Sequence, residues 1–233
     1  EIFDDLNGNG LNDPAEGLLD GVTVNLLDKN DQVVRTTQSV SGTAVFNSVP
    51  TGLKLITQVI LPSSDHAFTK VNAQGNSQEL IDSDVLRSNG RAVKFKFNQG
   101  GVVLEDLDAG IVRPGVFETT IWNDLNENGV RDNGEPLLDG VSVDLVDHTG
   151  TVVQTVLTAS GIAIFDPVPA NMLARVQVNL PTDAVFTARD QGSDESLDSD
   201  VNPNTGRVPL YNFKQSGLTI EVGAGIIFTT PPE

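Results

Sequence analysis

The sequence predicts an all-β protein, two antiparallel sandwiches in tandem. Three observations predict it: apolar residues recur at period two, turn residues interrupt them every eight to twelve positions, and the whole pattern occurs twice. Nothing along the 233 residues sustains a helical apolar stripe.

In chain order, the first copy shows Val22, Val24 and Leu26, then Ala44 and Phe46, then Leu53, Leu55 and Thr57 through Val59. Val93, Phe95 and Phe97 follow, then Val102 and Leu104. The second copy reads Val141, Val143 and Leu145, then Ile162 and Ile164, then Val176, Val178 and Leu180. Side chains two apart on a strand share a face, so each run buries one face and wets the other. About seven short strands per copy make an immunoglobulin-like sandwich. Phe46, Phe68, Trp122, Phe165 and Phe186 are the expected core aromatics.

The repeat is plainest at the loops. Asp5-Leu-Asn-Gly-Asn-Gly-Leu-Asn-Asp-Pro-Ala-Glu16 returns 119 residues later as Asp124-Leu-Asn-Glu-Asn-Gly-Val-Arg-Asp-Asn-Gly-Glu135, with seven of twelve positions identical. Leu18-Leu-Asp-Gly-Val-Thr-Val24 matches Leu137-Leu-Asp-Gly-Val-Ser-Val143, and Ala109-Gly-Ile111 matches Ala224-Gly-Ile226. A period this long is a domain. Pro114 and Gly115 punctuate the join, which places the domains at 1–113 and 114–233. Glu1 opens no signal peptide and Thr229–Glu233 reads like the start of another linker, so a piece of a longer tandem array is expected.

The chain carries 14 Lys plus Arg against 32 Asp plus Glu, a formal charge of -18, the wrong sign for a nucleic-acid partner. No apolar run approaches the ~18 residues of a membrane span. With no Cys there is neither a disulfide framework nor a thiolate metal site. His66 and His148 fall at non-equivalent positions, and no nucleophile elbow, zinc-protease or phosphate-loop motif occurs, so no catalytic residue is assigned.

Both loops spell D-x-N-x-N-G-x-x-D-x-x-E, the ligand spacing of a twelve-residue calcium loop. Ca²⁺ takes six to eight oxygens at flexible distances, so positions 1, 3, 5 and 9 offer side chains, position 7 its carbonyl and position 12 a bidentate carboxylate. The ligands are then Asp5, Asn7, Asn9, the Leu11 carbonyl, Asp13 and Glu16 in copy one, and Asp124, Asn126, Asn128, the Val130 carbonyl, Asp132 and Glu135 in copy two. Gly10 and Gly129 make the sharp turn. All six specified positions are identical between copies while free ones such as Gly8/Glu127 and Asn12/Arg131 differ, which a merely solvated turn would not require. The residues after the loop read as a strand, where the helix-loop-helix calcium motif has a helix.

A second duplicated cluster is Glu79-Leu-Ile-Asp-Ser-Asp84 and Glu195-Ser-Leu-Asp-Ser-Asp200. Two readings stay open: a second calcium site using Asp82 and Asp84, or Asp198 and Asp200, and a solvated loop neutralised by Arg91 or Arg207.

Together with Ile2-Phe3-Asp4-Asp5, Ile121-Trp122-Asn123-Asp124, Gly42-x-Ala-x-Phe46, Asp82-Ser-Asp84 and Asp108-Ala-Gly-Ile111, these motifs resemble the B-type domains of serine-aspartate repeat adhesins, related to the Cna B-type modules of bacterial surface proteins. The resemblance covers both copies. It implies a calcium-stabilised sandwich of inverted immunoglobulin-like topology, arrayed as a stalk that holds a ligand-binding region away from a cell-wall or outer-membrane anchor. It implies an extracellular, cell-surface or secreted location. Neighbouring repeats of the same chain are the expected partners, in a monomer that is not membrane-embedded, with any host ligand unidentified. Many relatives carry a Lys to Asn or Asp isopeptide crosslink. Neither copy has a Lys in its first strand and copy two has only Lys214, so no crosslink is expected. Two alternatives keep the same fold: a module that itself grips a protein or carbohydrate, and an accessory module of a secreted polysaccharide-degrading enzyme.

Overall fold

The computed structural model describes residues 1–71, 81–92, 95–96, 98 and 107–229. Glu79, Val93, Phe97, Val102 and Leu104, named above, lie outside the described residues. Among those described there is no helix, and the chain divides into two compact units. One is Glu1–Pro114 with Pro169–Asn171 and Lys214–Gly217; the other is Gly115–Val168, Met172–Phe213 and Leu218–Glu233.

The first unit holds β1 (Ile2–Asp4), β2 (Thr23–Leu27), β3 (Val33–Gln38), β4 (Ile56–Val59), β5 (Ala67–Phe68) and β6 (Ala109–Val112). They form two sheets, ordered β1-β6-β5 and β3-β2-β4. The second unit holds β7 (Gly115–Asn123), β8 (Ser142–Asp147), β9 (Val152–Leu157), β10 (Ile162–Val168), β11 (Leu173–Asn179), β12 (Ala184–Phe186), β13 (Tyr211–Asn212) and β14 (Thr219–Phe228). Its sheets run β10-β7-β14-β12 and β13-β11-β8-β9. In each unit the first and last strands pair in parallel, Ile2 opposite Ala109 and Ile121 opposite Ala224, while the other pairings are antiparallel. Each unit is thus an immunoglobulin-like two-sheet sandwich.

Local chemistry sets the hairpins. Asp28 Oδ1 accepts the Asn30 and Gln32 amides at 2.8 and 3.0 Å, and Asp147 Oδ1 accepts those of Thr149 and Thr151 at 2.8 and 2.9 Å. These Asx turns reverse the chain between β2 and β3 and between β8 and β9. The inner faces then meet. Phe117, Ile121, Phe165 and Ile226 of one sheet pack against Val143, Leu145, Val176 and Val178 of the other, all buried. Each such side chain contributes roughly 1.5–3 kcal/mol by leaving water. The first unit repeats this with Ile2, Val24, Val59, Phe68 and Ile111. Phe117 meets the Tyr211 ring edge-on, with centroids 5.5 Å apart.

The core aromatics fall as expected at Phe68, Trp122, Phe165 and Phe186, while Phe46 is half-buried against the first core. One run needs correction. In β10 the residues that face the core are Ala163 and Phe165, both fully buried, whereas Ile164 is 48% exposed. Ile162 and Ile164 lie on the outer face because the strand's register follows the Ala44/Phe46 positions of copy one, 119 residues earlier. Leu53 and Leu180 are also exposed, at 45% and 38%, and neither belongs to a strand.

Candidate metal site

Each twelve-residue loop follows the first strand of its sandwich and folds around a buried carboxylate. Asp5 is fully buried; its Oδ1 accepts the Asn9 amide at 3.1 Å and its Oδ2 the Gly10 amide at 2.7 Å. Asp124 does the same with Asn128 at 3.3 Å and Gly129 at 2.8 Å. A carboxylate buried in that position needs donors, and backbone N–H groups of a tight turn supply them. The turn requires left-handed backbone at position 6, where Gly10 has φ 88° and Gly129 φ 83°.

The two Asn residues complete the wrap. Asn7 Oδ1 accepts the Asn9 amide at 2.9 Å and Asn9 Oδ1 the Leu11 amide at 2.7 Å; both side-chain amides donate to Asp13 Oδ2, at 2.9 and 2.8 Å. Copy two repeats each bond: Asn126 and Asn128 accept at 3.1 and 2.8 Å and donate to Asp132 Oδ2 at 2.8 and 2.7 Å. The position-12 glutamate closes the loop. Glu16 accepts the Leu6 and Asp13 amides at 2.8 and 3.1 Å, and Glu135 those of Leu125 and Asp132 at 2.8 and 3.0 Å. Burial, then the neighbouring charges of Asp5 and Asp13, push the Glu16 carboxyl up from its ordinary range.

The donors are all oxygen, which fits a hard divalent cation such as Ca²⁺. Capacity remains for one, since among the described residues each of the Asn7, Asn9, Asp5 Oδ1 and Glu16 oxygens takes a single N–H and keeps a second lone pair. Among the described residues, three or more His, Asp or Glu side chains nowhere stand together as a metal-holding group; in each loop the Asn side-chain amides lie against the position-9 carboxylate.

Position 7 leads to the second acidic cluster. Leu11 pairs with Asp82 and Val130 with Asp198, the bridging bonds running from Asn12 to Ile81 at 2.6 Å and from Arg131 to Leu197 at 2.7 Å. Neither bond uses the Leu11 or Val130 carbonyl. Asp82 and Asp198 are both buried against their loops. Among the described residues Asp198 Oδ1 meets no hydrogen-bond donor, and burial, with Asp200, Glu195 and Asp190 nearby, pushes its carboxyl up. Asp84 and Asp200 have a structural task. Asp84 Oδ2 accepts the Asp108 amide at 2.8 Å and Asp200 Oδ2 the Gly223 amide at 2.7 Å, which ties the cluster to the last strand. The cluster does not use the arginines expected of it: Arg91 pairs with Asp31 at 3.0 Å and Arg207 donates to Gln177 at 2.7 Å. Both arginines project from the other sheet, opposite β4 and β11.

Four residues escaped the sequence reading. Thr187 Oγ1 donates to Asp124 Oδ2 at 2.6 Å and Thr69 Oγ1 to Asp5 Oδ2. Ser83 and Ser199 are fully buried and accept the Gly110 and Gly225 amides at 3.2 and 3.3 Å. Their signal was present: Phe-Thr at 68–69 recurs at 186–187, as does the Ser inside each Asp-Ser-Asp. The Ala-Gly-Ile glycine has a packing reason, since a Cβ on Gly225 would sit 2.4 Å from the Thr187 methyl.

Two sandwiches, each opening on an oxygen-rich loop of twelve residues, define a tandem pair of B-type modular domains. The chain belongs to the SdrD B-like domain family, whose profile matches residues 1–111 and 118–226. It is 28% identical over 237 residues to Colossin-A of Dictyostelium discoideum, covering 95% of this chain and 2% of that one. It is 26% identical over 208 residues to serine-aspartate repeat-containing protein D of Staphylococcus aureus strain Newman, covering 88% of this chain and 15% of the relative. Serine-aspartate repeat-containing protein F of Staphylococcus epidermidis is 27% identical over 230 residues, 95% of this chain and 12% of the relative. The chain therefore spans a small part of each relative. Among the described residues no helix is long and apolar enough to cross a membrane.

Proposed function

We propose that the two units are calcium-stabilised, non-catalytic spacer domains of an extracellular or cell-surface array. The single observation that carries this reading is the loop: two diverged copies keep the same six specified residues in the same hydrogen-bond pattern, five of them offering side-chain oxygens and the sixth the turn glycine. A cation at each loop offsets the negative charge that its Asp and Glu side chains bring to the turn, and fixes the turn between first strand and core. Binding to the folded state alone stabilises it by RT ln(1 + [Ca]/Kd), about 2.7 kcal/mol at a hundredfold excess over Kd. With three carboxylates and two Asn per loop, a micromolar to millimolar affinity suits calcium outside the cell. The spacer role, the location and the host array extend the family assignment to this chain. Thermal melting in calcium and in EDTA tests the reading: calcium raises the melting temperature and slows proteolysis, and superimposable curves contradict it.

A second reading, a module that itself grips a ligand, draws on the edge strand β9, where Val152 and Val153 are each 51% exposed and Leu157 61%. Capture of a defined protein or glycan by this chain alone, lost on Val153→Lys, would favour it.

A further inference from the structure

Five Asn-Gly pairs occur in the chain, at 7–8, 9–10, 89–90, 128–129 and 133–134. Asn-Gly is the dipeptide most open to spontaneous deamidation, because the glycine nitrogen has no neighbouring side chain to hinder its attack on the Asn carboxamide. Folding disarms most of them. The Gly10 and Gly129 nitrogens are tied to the buried Asp5 and Asp124 carboxylates, and the Gly90 nitrogen donates to the Leu86 carbonyl at 2.8 Å. Asn7 is clamped at both ends of its amide, by the Asn9 N–H and by Asp13. Asn133-Gly134 has none of these restraints. Both residues are exposed, a Cβ on Gly134 would meet nothing within 4 Å, and among the described residues neither the Asn133 side chain nor the Gly134 nitrogen makes a hydrogen bond.

We infer that Asn133 is a spontaneous deamidation and isoaspartate site of the folded protein, confined to the loop of the second unit. The Gly134 nitrogen attacks Cγ of Asn133; the N–Cγ bond forms, the Cγ–Nδ2 bond breaks, and ammonia leaves with the proton the glycine nitrogen gives up. Water then opens the succinimide at one carbonyl or the other, giving aspartate or isoaspartate. The product matters because of its place. Residues 133–134 join Asp132 to Glu135, whose spacing is held by the Glu135 amide on the Asp132 carbonyl at 3.2 Å and by Glu135 Oε2 on the Asp132 amide at 3.0 Å. Isoaspartate inserts a methylene into the main chain there and separates loop positions 9 and 12. Copy one carries Pro14-Ala15 at these positions and is immune. The array therefore ages asymmetrically, one loop drifting while the other holds.

The effect on cation binding rests on the calcium reading; the modification does not. The full chain is incubated folded at mildly alkaline pH, and also in denaturant, then mapped by peptide mass spectrometry with isoaspartyl methyltransferase labelling. Calorimetric calcium titration of fresh and aged protein accompanies the mapping. In the folded chain Asn133 converts first and several-fold faster than Asn128; in denaturant all five convert at comparable rates. Aged protein loses the second unit's loop site, and aged Asn133→Gln keeps it. Conversion at Asn133 no faster than at Asn128 in the folded chain overturns the site. Conversion with calcium binding intact overturns its consequence. Fresh protein that binds no calcium yet converts first at Asn133 refutes the calcium reading and supports the modification site.

Discussion

The two loops hold the same six residues and differ in what surrounds them. Beside the first, Asp4 pairs with Arg113 at 2.6 Å; the second has Asn123 at the corresponding position. Position 4 of the loop is left-handed in both, at φ 69° for Gly8 and 60° for Glu127. Positions 10 and 11 are Pro14-Ala15 in one and Asn133-Gly134 in the other. What stayed fixed is the turn glycine and the side-chain oxygens that take the loop's backbone N–H groups. What drifted is everything whose role is general, such as charge balance beside the loop or stiffness at its tip. Of the seven positions identical between the copies, six are the specified ones and the seventh is Leu6/Leu125, so divergence falls almost wholly on the free positions.

The comparison can be broken most forcefully at position 1. Asp124→Ala removes the acceptor for Gly129, Asn128 and Thr187 and should destabilise the second unit by about 3 kcal/mol, with Asp5→Ala acting likewise on the first. Chemical denaturation that resolves the two units checks that each change stays in its own. Thr187→Val, which takes one donor from a buried carboxylate, should cost the second unit about 1–2 kcal/mol, and Thr69→Val the same in the first. Glu127→Gly sharpens the comparison in the other direction. It relieves a left-handed non-glycine residue and should stabilise the second unit by about 0.5–1 kcal/mol, read as a shifted denaturation midpoint.

The smallest effect is that of pH on the metal-free chain. Asp198 and Asp200 are raised above 3.8, mainly by burial, and Glu16 above 4.5, also mainly by burial. A raised acid binds more protons folded than unfolded, so it lowers stability as pH rises from its ordinary value through its folded value. Asp147 and Asp194, lowered from 3.8 chiefly by the hydroxyls of Thr149 and Ser196, act oppositely below that pH. In EDTA the second unit should lose stability between about pH 4 and the raised values, and Asp198→Asn should flatten that slope.

The all-β class, the duplication and the six loop positions were legible in the sequence because period and spacing are linear properties. Core-facing alternation was legible where a strand is flanked by clear turns, as at Val143 and Leu145, and misread in β10, where Ile162, Ala163, Ile164 and Phe165 are apolar on both faces. Thr69, Thr187, Ser83 and Ser199 were not found, because their partners lie 26 to 64 residues away and only pairing of strands and loops brings them together. The arginines failed for the same reason. Arg91 lies seven residues beyond Asp84, and the fold directs it to Asp31.

The most direct test of the account is calcium titration by calorimetry of the intact pair, of Glu16→Gln and of Glu135→Gln, variants that keep a hydrogen-bonding side chain while removing the closing carboxylate. The account predicts one strong site per unit, each abolished by the substitution in its own loop and untouched by the other. Identical titrations for all three proteins would contradict it.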